Sequence, residues 1–256
     1  MSHLLAVVNQ KGGVGKTTTA VNIAAYLAAK EQKVLLIDLD PQGNATSSFG
    51  VEKNAQAITI YDVLINSVAI SDAMLDVGRK NLRLCPANIQ LAGAEIELVG
   101  FVSRETILKQ ALTEVEGQFD FILIDCPPSL GLLTINALSA ANGILVPIQS
   151  EYFALEGLTQ LMETVSLIKR GLNPSLAIFG VVITMFDSRT QLAHQVAGEV
   201  RRYFGERVFR TIIPRNVRLS EAPSFGKVIM EYDPRSKGAA CYDALAKEII
   251  RRARGN

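Results

Sequence analysis

Asn9-Gln10-Lys11-Gly12-Gly13-Val14-Gly15-Lys16-Thr17-Thr18 decides how this chain is read. An apolar run at Leu4–Asn9 precedes it, and a helical pattern follows from about Lys16 to Lys30. A phosphate-binding loop needs glycines, so that successive backbone N–H groups can turn toward one anion. It also needs a helix N-terminus behind them and a lysine that reaches the β- and γ-phosphates. Gly12, Gly13 and Gly15 meet the first need, the helix after Gly15 the second and Lys16 the third. Thr17 stands where a hydroxyl coordinates Mg²⁺. Residues Lys11 to Thr18, Val14 and Thr18 included, are therefore the expected cradle for ATP and Mg²⁺. The loop departs from the usual GxxxxGK[ST] pattern in one respect. Gln10 occupies the place of the opening glycine, and a second lysine, Lys11, follows it. Lys16 already serves the bound phosphates, so a second ammonium is either wasted or aimed elsewhere.

Working outward, further apolar runs lie at Lys33–Asp38, Asp120–Asp125, Gly143–Ile148, Ala177–Thr184 and Val208–Ile213. A shorter one lies near Leu82–Cys85. Helical patterns separate them, notably at 131–141, 154–170 and 190–204. Continuous apolar strands alternating with helices mark a parallel sheet covered on both faces. The expected fold class is α/β: one doubly wound, mostly parallel sheet with helices on both faces, in a single domain over 1–256. The region 45–118 is less regular and is expected to hold helices, the short strand near Leu82–Cys85 and loops.

Two of the strands end in aspartate. Asp38 and Asp40 close Leu-Leu-Ile-Asp-Leu-Asp, and Asp125 closes Phe-Ile-Leu-Ile-Asp. Ligands of parallel sheets sit beyond the carboxyl ends of the strands, which puts these carboxylates at the nucleotide edge. Asp125 reads as the Walker B residue that holds Mg²⁺ directly or through a water. Asp40 best fits the residue that positions the attacking water, with Asp38 supporting the same pocket. Each could instead cap a helix.

Composition narrows the class further. With 48% apolar residues and only 6% aromatics, the 256-residue chain can build an ample core and is no disulfide miniprotein. Cys85, Cys126 and Cys241 form no CxxC pair and read as reduced thiols of a cytosolic protein. No apolar run reaches the roughly 18 residues of a membrane span, and no signal-peptide pattern opens the chain. Charge is uneven: residues 1–179 carry 12 Lys and Arg against 17 Asp and Glu, whereas 180–256 carry 14 against 8. A basic back third suggests an anionic partner. Segment 239–254, ending in Arg251, Arg252 and Arg254, reads as an amphipathic helix packed on the sheet.

Longer strings carry a family likeness. They are Asp-Pro-Gln-Gly-Asn-Ala-Thr at 40–46, Gln-Leu-Ala-Gly-Ala-Glu-Ile-Glu-Leu at 90–98 and Asp-Cys-Pro-Pro-Ser-Leu-Gly-Leu-Leu-Thr-Ile-Asn-Ala-Leu at 125–138. Glu-Tyr-Phe-Ala-Leu-Glu-Gly-Leu at 151–158, Ile-Pro-Arg-Asn-Val-Arg-Leu-Ser-Glu-Ala-Pro-Ser at 213–224 and Tyr-Asp-Pro-Arg-Ser-Lys-Gly-Ala at 232–239 continue the set. With them the chain resembles the ParA/Soj chromosome-partitioning ATPases of the ParA/MinD family, whose deviant Walker A loop reads KGGVGKT. The resemblance implies an ATP-dependent sandwich homodimer that binds double-stranded DNA without sequence preference and releases it on hydrolysis. A ParB/Spo0J-type centromere-binding protein stimulates that otherwise slow hydrolysis in the family. Lys11 would cross the dimer interface and stabilise charge at the partner's nucleotide, as an arginine finger does. Pro214 and Asn216 would cup the adenine, and Arg189 and Arg218 match the family's DNA-binding surface. Arg201, Arg202 and Arg215 are further basic candidates, several of which could pair with Glu199, Glu206 or Glu221.

The implied location is the cytoplasm, on the nucleoid when ATP is bound, without stable membrane association. Because the P-loop begins at residue 9, no N-terminal helix-turn-helix domain is expected. Lys227-Val228 departs from the family's frequent Lys-Pro. Three rival readings stand beside this one, among them a nucleotide-gated scaffold that binds ATP and barely turns over, against which Asp40 and Lys11 argue. A MinD-like membrane-cycling ATPase would need a C-terminal helix with bulky apolar residues on one face. An iron–sulfur ATPase would need paired cysteines at a dimer seam.

Overall fold

Four or five consecutive apolar residues can be buried on both sides only if helices cover both faces of their sheet. The computed structural model, which describes residues 2–151 and 154–255, has this arrangement. Tyr152 and Phe153 of the 151–158 string lie outside the described residues. One sheet is built from β1 (His3–Val7), β2 (Val34–Asp38), β3 (Leu75–Asp76), β4 (Leu82–Cys85), β5 (Phe121–Asp125), β6 (Gly143–Gln149) and β7 (Ala177–Thr184). The strand order is β3-β4-β2-β5-β1-β6-β7, and all pairs are parallel except β3–β4.

The helices are α1 (Lys16–Ala29), α2 (Asn44–Ser48), α3 (Ile60–Ile65), α4 (Ile70–Ala73), α5 (Leu91–Glu97) and α6 (Ile107–Leu112). They continue with α7 (Leu132–Ala140), α8 (Ala154–Gly171), α9 (Gln191–Phe204), α10 (Val217–Glu221), α11 (Ile229–Tyr232) and α12 (Lys237–Ala253). Alternation along each strand feeds two cores. Leu5, Val7, Leu36 and Leu123 meet Ile23 and Leu27 of α1 and Leu245 and Ile249 of α12. Ala6, Val8, Ile37 and Ile124 meet Leu133 of α7, Leu161 of α8 and Val200 of α9 on the other face. Each such aliphatic side chain contributes roughly 1.5–3 kcal/mol on burial.

The C-terminal helix packs on the sheet as its sequence suggested. Ser236 caps it by accepting from Ala239 N at 3.1 Å, and Tyr242 shares a 3.1 Å hydrogen bond with Thr19 on α1. Its basic end is partly structural. Arg252 donates to the carbonyls of Phe179, Arg207 and Glu206 and lies 4.1 Å from the centre of the Phe209 ring. Among the described residues no helix is long and apolar enough to cross a membrane.

One expected strand is not formed. Val208–Ile213 runs beside β7, with Phe209 N on Val181 O and Ile213 N on Ile183 O, both at 2.9 Å. Four residues thus advance past two of β7. The intervening Thr211 amide is diverted to the Glu248 carboxylate of α12 at 2.8 Å, and Arg210 N joins it at 2.9 Å. A side chain has taken the donor that a ladder would use, so the pairing is reduced to isolated bridges at Val208 and, just beyond the segment, at Pro214.

Candidate nucleotide site

Strands β2, β5, β1, β6 and β7 run parallel and end at one edge, where the loop 9–15 emerges from β1. Gly13 and Gly15 have φ of +74° and +86°, the left-handed region that glycine enters without a steric penalty. No side chain caps α1, so its first amides are left for an anion. The loop is pinned at two points. Asn9 donates to Pro147 O at 2.7 Å and accepts from Lys11 N at 3.0 Å, while the Thr184 hydroxyl donates to Val14 O at 2.8 Å.

The two lysines point to different places. Lys16 is 7% exposed, and its Nζ curls over the loop to donate to Lys11 O at 3.2 Å. Burial pulls its pKa down, and the Asp125 and Asp40 carboxylates pull it back in part. Lys11 instead reaches outward to Glu151, 3.1 Å away, in a half-exposed ion pair.

Strand register sets the carboxylates side by side, with Asp38 and Val7 both opposite Asp125. Asp38 is fully buried, and its oxygens are committed. Oδ2 accepts from Thr46 N and Thr46 Oγ1, each at 2.8 Å, and Oδ1 accepts from Asp40 N at 3.3 Å. Burial pushes its pKa up to about 6 against those hydrogen bonds. Asp125 is equally buried, yet neither oxygen accepts a hydrogen bond of ordinary geometry, although the Thr17 hydroxyl is near enough to favour the charged form. Burial first, and the neighbouring Asp38 second, raise its pKa well above the usual carboxylate range. An orphaned buried carboxylate beside a hydroxyl and a phosphate loop suits a divalent cation, which would supply the missing partner. Thr17 and Asp125 therefore fit the metal assignment. Asp40 is 8% exposed and spends Oδ1 on Gln42 N at 2.9 Å.

On the other side of the loop lies a cavity of about 300 Å³ lined by Gly15, Thr18, Met185, Pro214, Asn216 and Tyr242, among others. Pro214 pairs with Phe186 at the end of β7, and Arg215 N donates to Phe186 O at 3.1 Å. Asn216 caps α10 by accepting from Arg218 N at 2.9 Å, which fixes its carboxamide with the NH₂ group uncommitted to that cap. The expected phosphate, metal and base residues thus converge on one edge. Three contributors went unnoticed in sequence. Thr46 sits inside a quoted string but has no recognisable motif. Glu151 meets Lys11 only in three dimensions. Met185, at φ +50°, holds a left-handed conformation that leaves no trace in residue type.

Arg189 and Arg218 are exposed but not free. Arg189 makes a two-pronged pair with Asp187, at 2.9 and 2.7 Å. Arg218 pairs with Glu221 at 2.9 Å and approaches Asp233 at 3.5 Å. Arg202 pairs with Glu199 at 2.8 Å. Cys85 and Cys126 are buried in the sheet core, and Cys241 is half-buried on α12.

An AAA-domain family model matches residues 2–178. The chain is 56% identical to the sporulation initiation inhibitor protein Soj of Bacillus subtilis, covering 97% of this chain and 98% of that one. It is 52% identical to the chromosome partitioning protein ParA of Myxococcus xanthus, over 98% of this chain and 89% of the relative. Among solved structures, cobyrinic acid a,c-diamide synthase from Mycobacterium smegmatis, with bound ADP and magnesium, superimposes with a TM-score of 0.88. It is 39% identical, covering 100% of this chain and 97% of that one.

Proposed function

The chain belongs to the Soj/ParA family of chromosome-partitioning ATPases, and from that premise we propose a nucleotide-gated dimer that grips DNA and lets go on hydrolysis. The observation that carries the switch is the division between the lysines. Lys16 is folded into its own loop, whereas Lys11 is turned out onto Glu151, where a second subunit's nucleotide can claim it. The ATP phosphates lie along Gly12–Thr18 on the amides that open α1, and Lys16 balances their charge. The adenine enters the cavity beside Pro214 and Asn216.

Thr17 and Asp125 would hold Mg²⁺, which when bound would neutralise phosphate charge and polarise the terminal phosphoryl group. Asp40 has an oxygen left to orient the attacking water, and Asp38, already saturated, holds the strand end and Thr46 in place. Lys11 from the partner subunit then meets the charge that develops on the phosphoryl oxygens. Hydrolysis is slow alone and is stimulated by a ParB-type protein, which suits a switch rather than a metabolic enzyme.

DNA is held through phosphates by Arg189 and Arg218 on each subunit, and dimerisation doubles this basic surface and gains avidity without a new kind of contact. The protein works in the cytoplasm and sits on the nucleoid while ATP-bound. Membrane anchoring by α12 is disfavoured because Tyr242, Leu245 and Ile249 are spent in the core.

Size-exclusion chromatography with ATP, ADP or no nucleotide tests the switch. A dimer is expected with ATP alone, and dimers under all three conditions would contradict it. Arg218→Glu is expected to abolish the ATP-dependent shift of a DNA fragment in a gel while leaving ATP affinity within about twofold, since one reversed charge repels the same phosphate it had attracted. Undiminished retention of DNA would remove Arg218 from the surface.

A further inference from the structure

Two of the family-like strings, 90–98 and most of 125–138, take no part in the site described above, and the structure joins them through one side chain. Glu95 of α5 accepts from Leu132 N at 2.9 Å through Oε2 and from Leu133 N at 3.3 Å through Oε1. These are the first two amides of α7. That helix starts behind Gly131, has no side-chain cap of its own and has no acidic residue in its first turn. A carboxylate from another helix therefore supplies both the hydrogen bonds and the negative charge that a helix N-terminus favours. Gly131 is the reason it can approach. A Cβ there would fall 2.5 Å from both Glu95 oxygens.

The loop between Asp125 and α7 depends on this anchor. It contains Pro127 and Pro128, which have no backbone N–H to give to neighbouring strands. At its near end the Cys126 amide donates to Val7 O at a long 3.4 Å. At its far end the Thr134 hydroxyl donates to Ser129 O at 2.6 Å, so the loop is tied to α7 itself. The position of α7 thus sets the path of residues 126–131, and Glu95 sets the start of α7.

We propose that Glu95 is a positioning residue for ATP hydrolysis. Its carboxylate fixes the start of α7, and through that helix the loop leaving Asp125, so that the buried carboxylate at the metal position keeps its aim. This rests on the ATPase reading above. Glu95 itself touches neither the phosphate loop nor the cavity beside Pro214.

The test uses the full chain as wild type, Glu95→Ala, Glu95→Gln, Gly131→Ala and the double variant Glu95→Ala/Gly131→Ala. Steady-state hydrolysis, binding of a fluorescent ATP analogue with Mg²⁺, and thermal melting are read in parallel, well below the melting transition. Glu95→Ala is expected to lower kcat about tenfold with KM and nucleotide affinity within twofold, because misaimed groups slow chemistry more than they weaken binding. Glu95→Gln keeps the shape and one acceptor and should recover part of the loss. Gly131→Ala should lower kcat comparably in the wild-type background, yet by less than twofold once Glu95 is already alanine, because the oxygens it collides with are gone. Amide hydrogen exchange over residues 126–133 should quicken in Glu95→Ala even without nucleotide. Should Glu95→Ala fail to fold, Glu95→Gln at about threefold and Gly131→Ala at about tenfold carry the same comparison. A lower melting temperature with kcat unchanged would reduce Glu95 to a stabilising cap and overturn the proposal, as would strict additivity in the double variant. A wild type that hydrolyses no ATP would overturn the ATPase reading together with it, an outcome distinct from an active wild type with unaffected variants.

Discussion

Lys16→Ala is expected to weaken ATP binding at least a hundredfold and to bring hydrolysis below detection. The residue is 7% exposed, and its ammonium is folded over its own loop, with Lys11 O at 3.2 Å. Burial disfavours its charge, so a bound polyphosphate gains both an attraction and the relief of that penalty. Charge-assisted hydrogen bonds in such surroundings contribute about 1.5–3 kcal/mol each, and about 2.7 kcal/mol is already a hundredfold in affinity. Lys16→Arg should rescue little, because a planar guanidinium does not fit the space of a compact ammonium. Isothermal titration with ATP at fixed Mg²⁺ reads the result. An affinity within fivefold of wild type would remove Lys16 from the phosphate site.

Asp40→Ala should act on the other half of the cycle. Loss of a group that orients the attacking water costs roughly 10²–10⁴ in rate, while ATP affinity should hold within a few-fold. The variant should therefore accumulate as an ATP-bound dimer, stable through a chromatographic run in which the wild type decays. The neighbouring Asp38 separates structure from chemistry. It accepts the Thr46 amide and hydroxyl at 2.8 Å, and Asp38→Ala would strand those buried donors at about 1–3 kcal/mol each. Asp38→Ala is thus expected to lower stability first, whereas Asp40→Ala should melt like the wild type. Wild-type turnover in Asp40→Ala would move the water-positioning role elsewhere on the strand end.

Much of this was legible in the linear chain, for an identifiable physical reason. A loop that must expose consecutive amides requires glycines, and a buried parallel strand requires an unbroken apolar run. The phosphate loop and five of the parallel strands therefore announce themselves in residue type. Asp38 and Asp125 are legible because a carboxylate that ends such a run can only emerge at the ligand edge. What residue type could not convey is who meets whom across the fold. Val208–Ile213 has a strand's composition, but Glu248, 37 residues beyond Thr211, removes the amide its ladder needs. Glu95 has the composition of an exposed helix residue and becomes a cap only because Gly131 leaves room for it. The conformation of Met185 is likewise set by its neighbours rather than by its side chain.

The ion pairs of Arg189 and Arg218 bear on how a grip on DNA would respond to salt. Duplex DNA draws strength from the cations that binding sets free, and the salt dependence grows with the number of phosphates neutralised. Here each arginine already carries a counterion built into the chain: Asp187 for one, Glu221 with Asp233 for the other. A phosphate must displace those carboxylates, and the freed carboxylates then gather mobile cations of their own. On the proposed reading, each arginine thus contributes less net ion release, and less net affinity, than a bare count of basic residues implies. On the same reading, such internal counterions would keep each subunit's hold shallow, so that tight retention would need two subunits acting together.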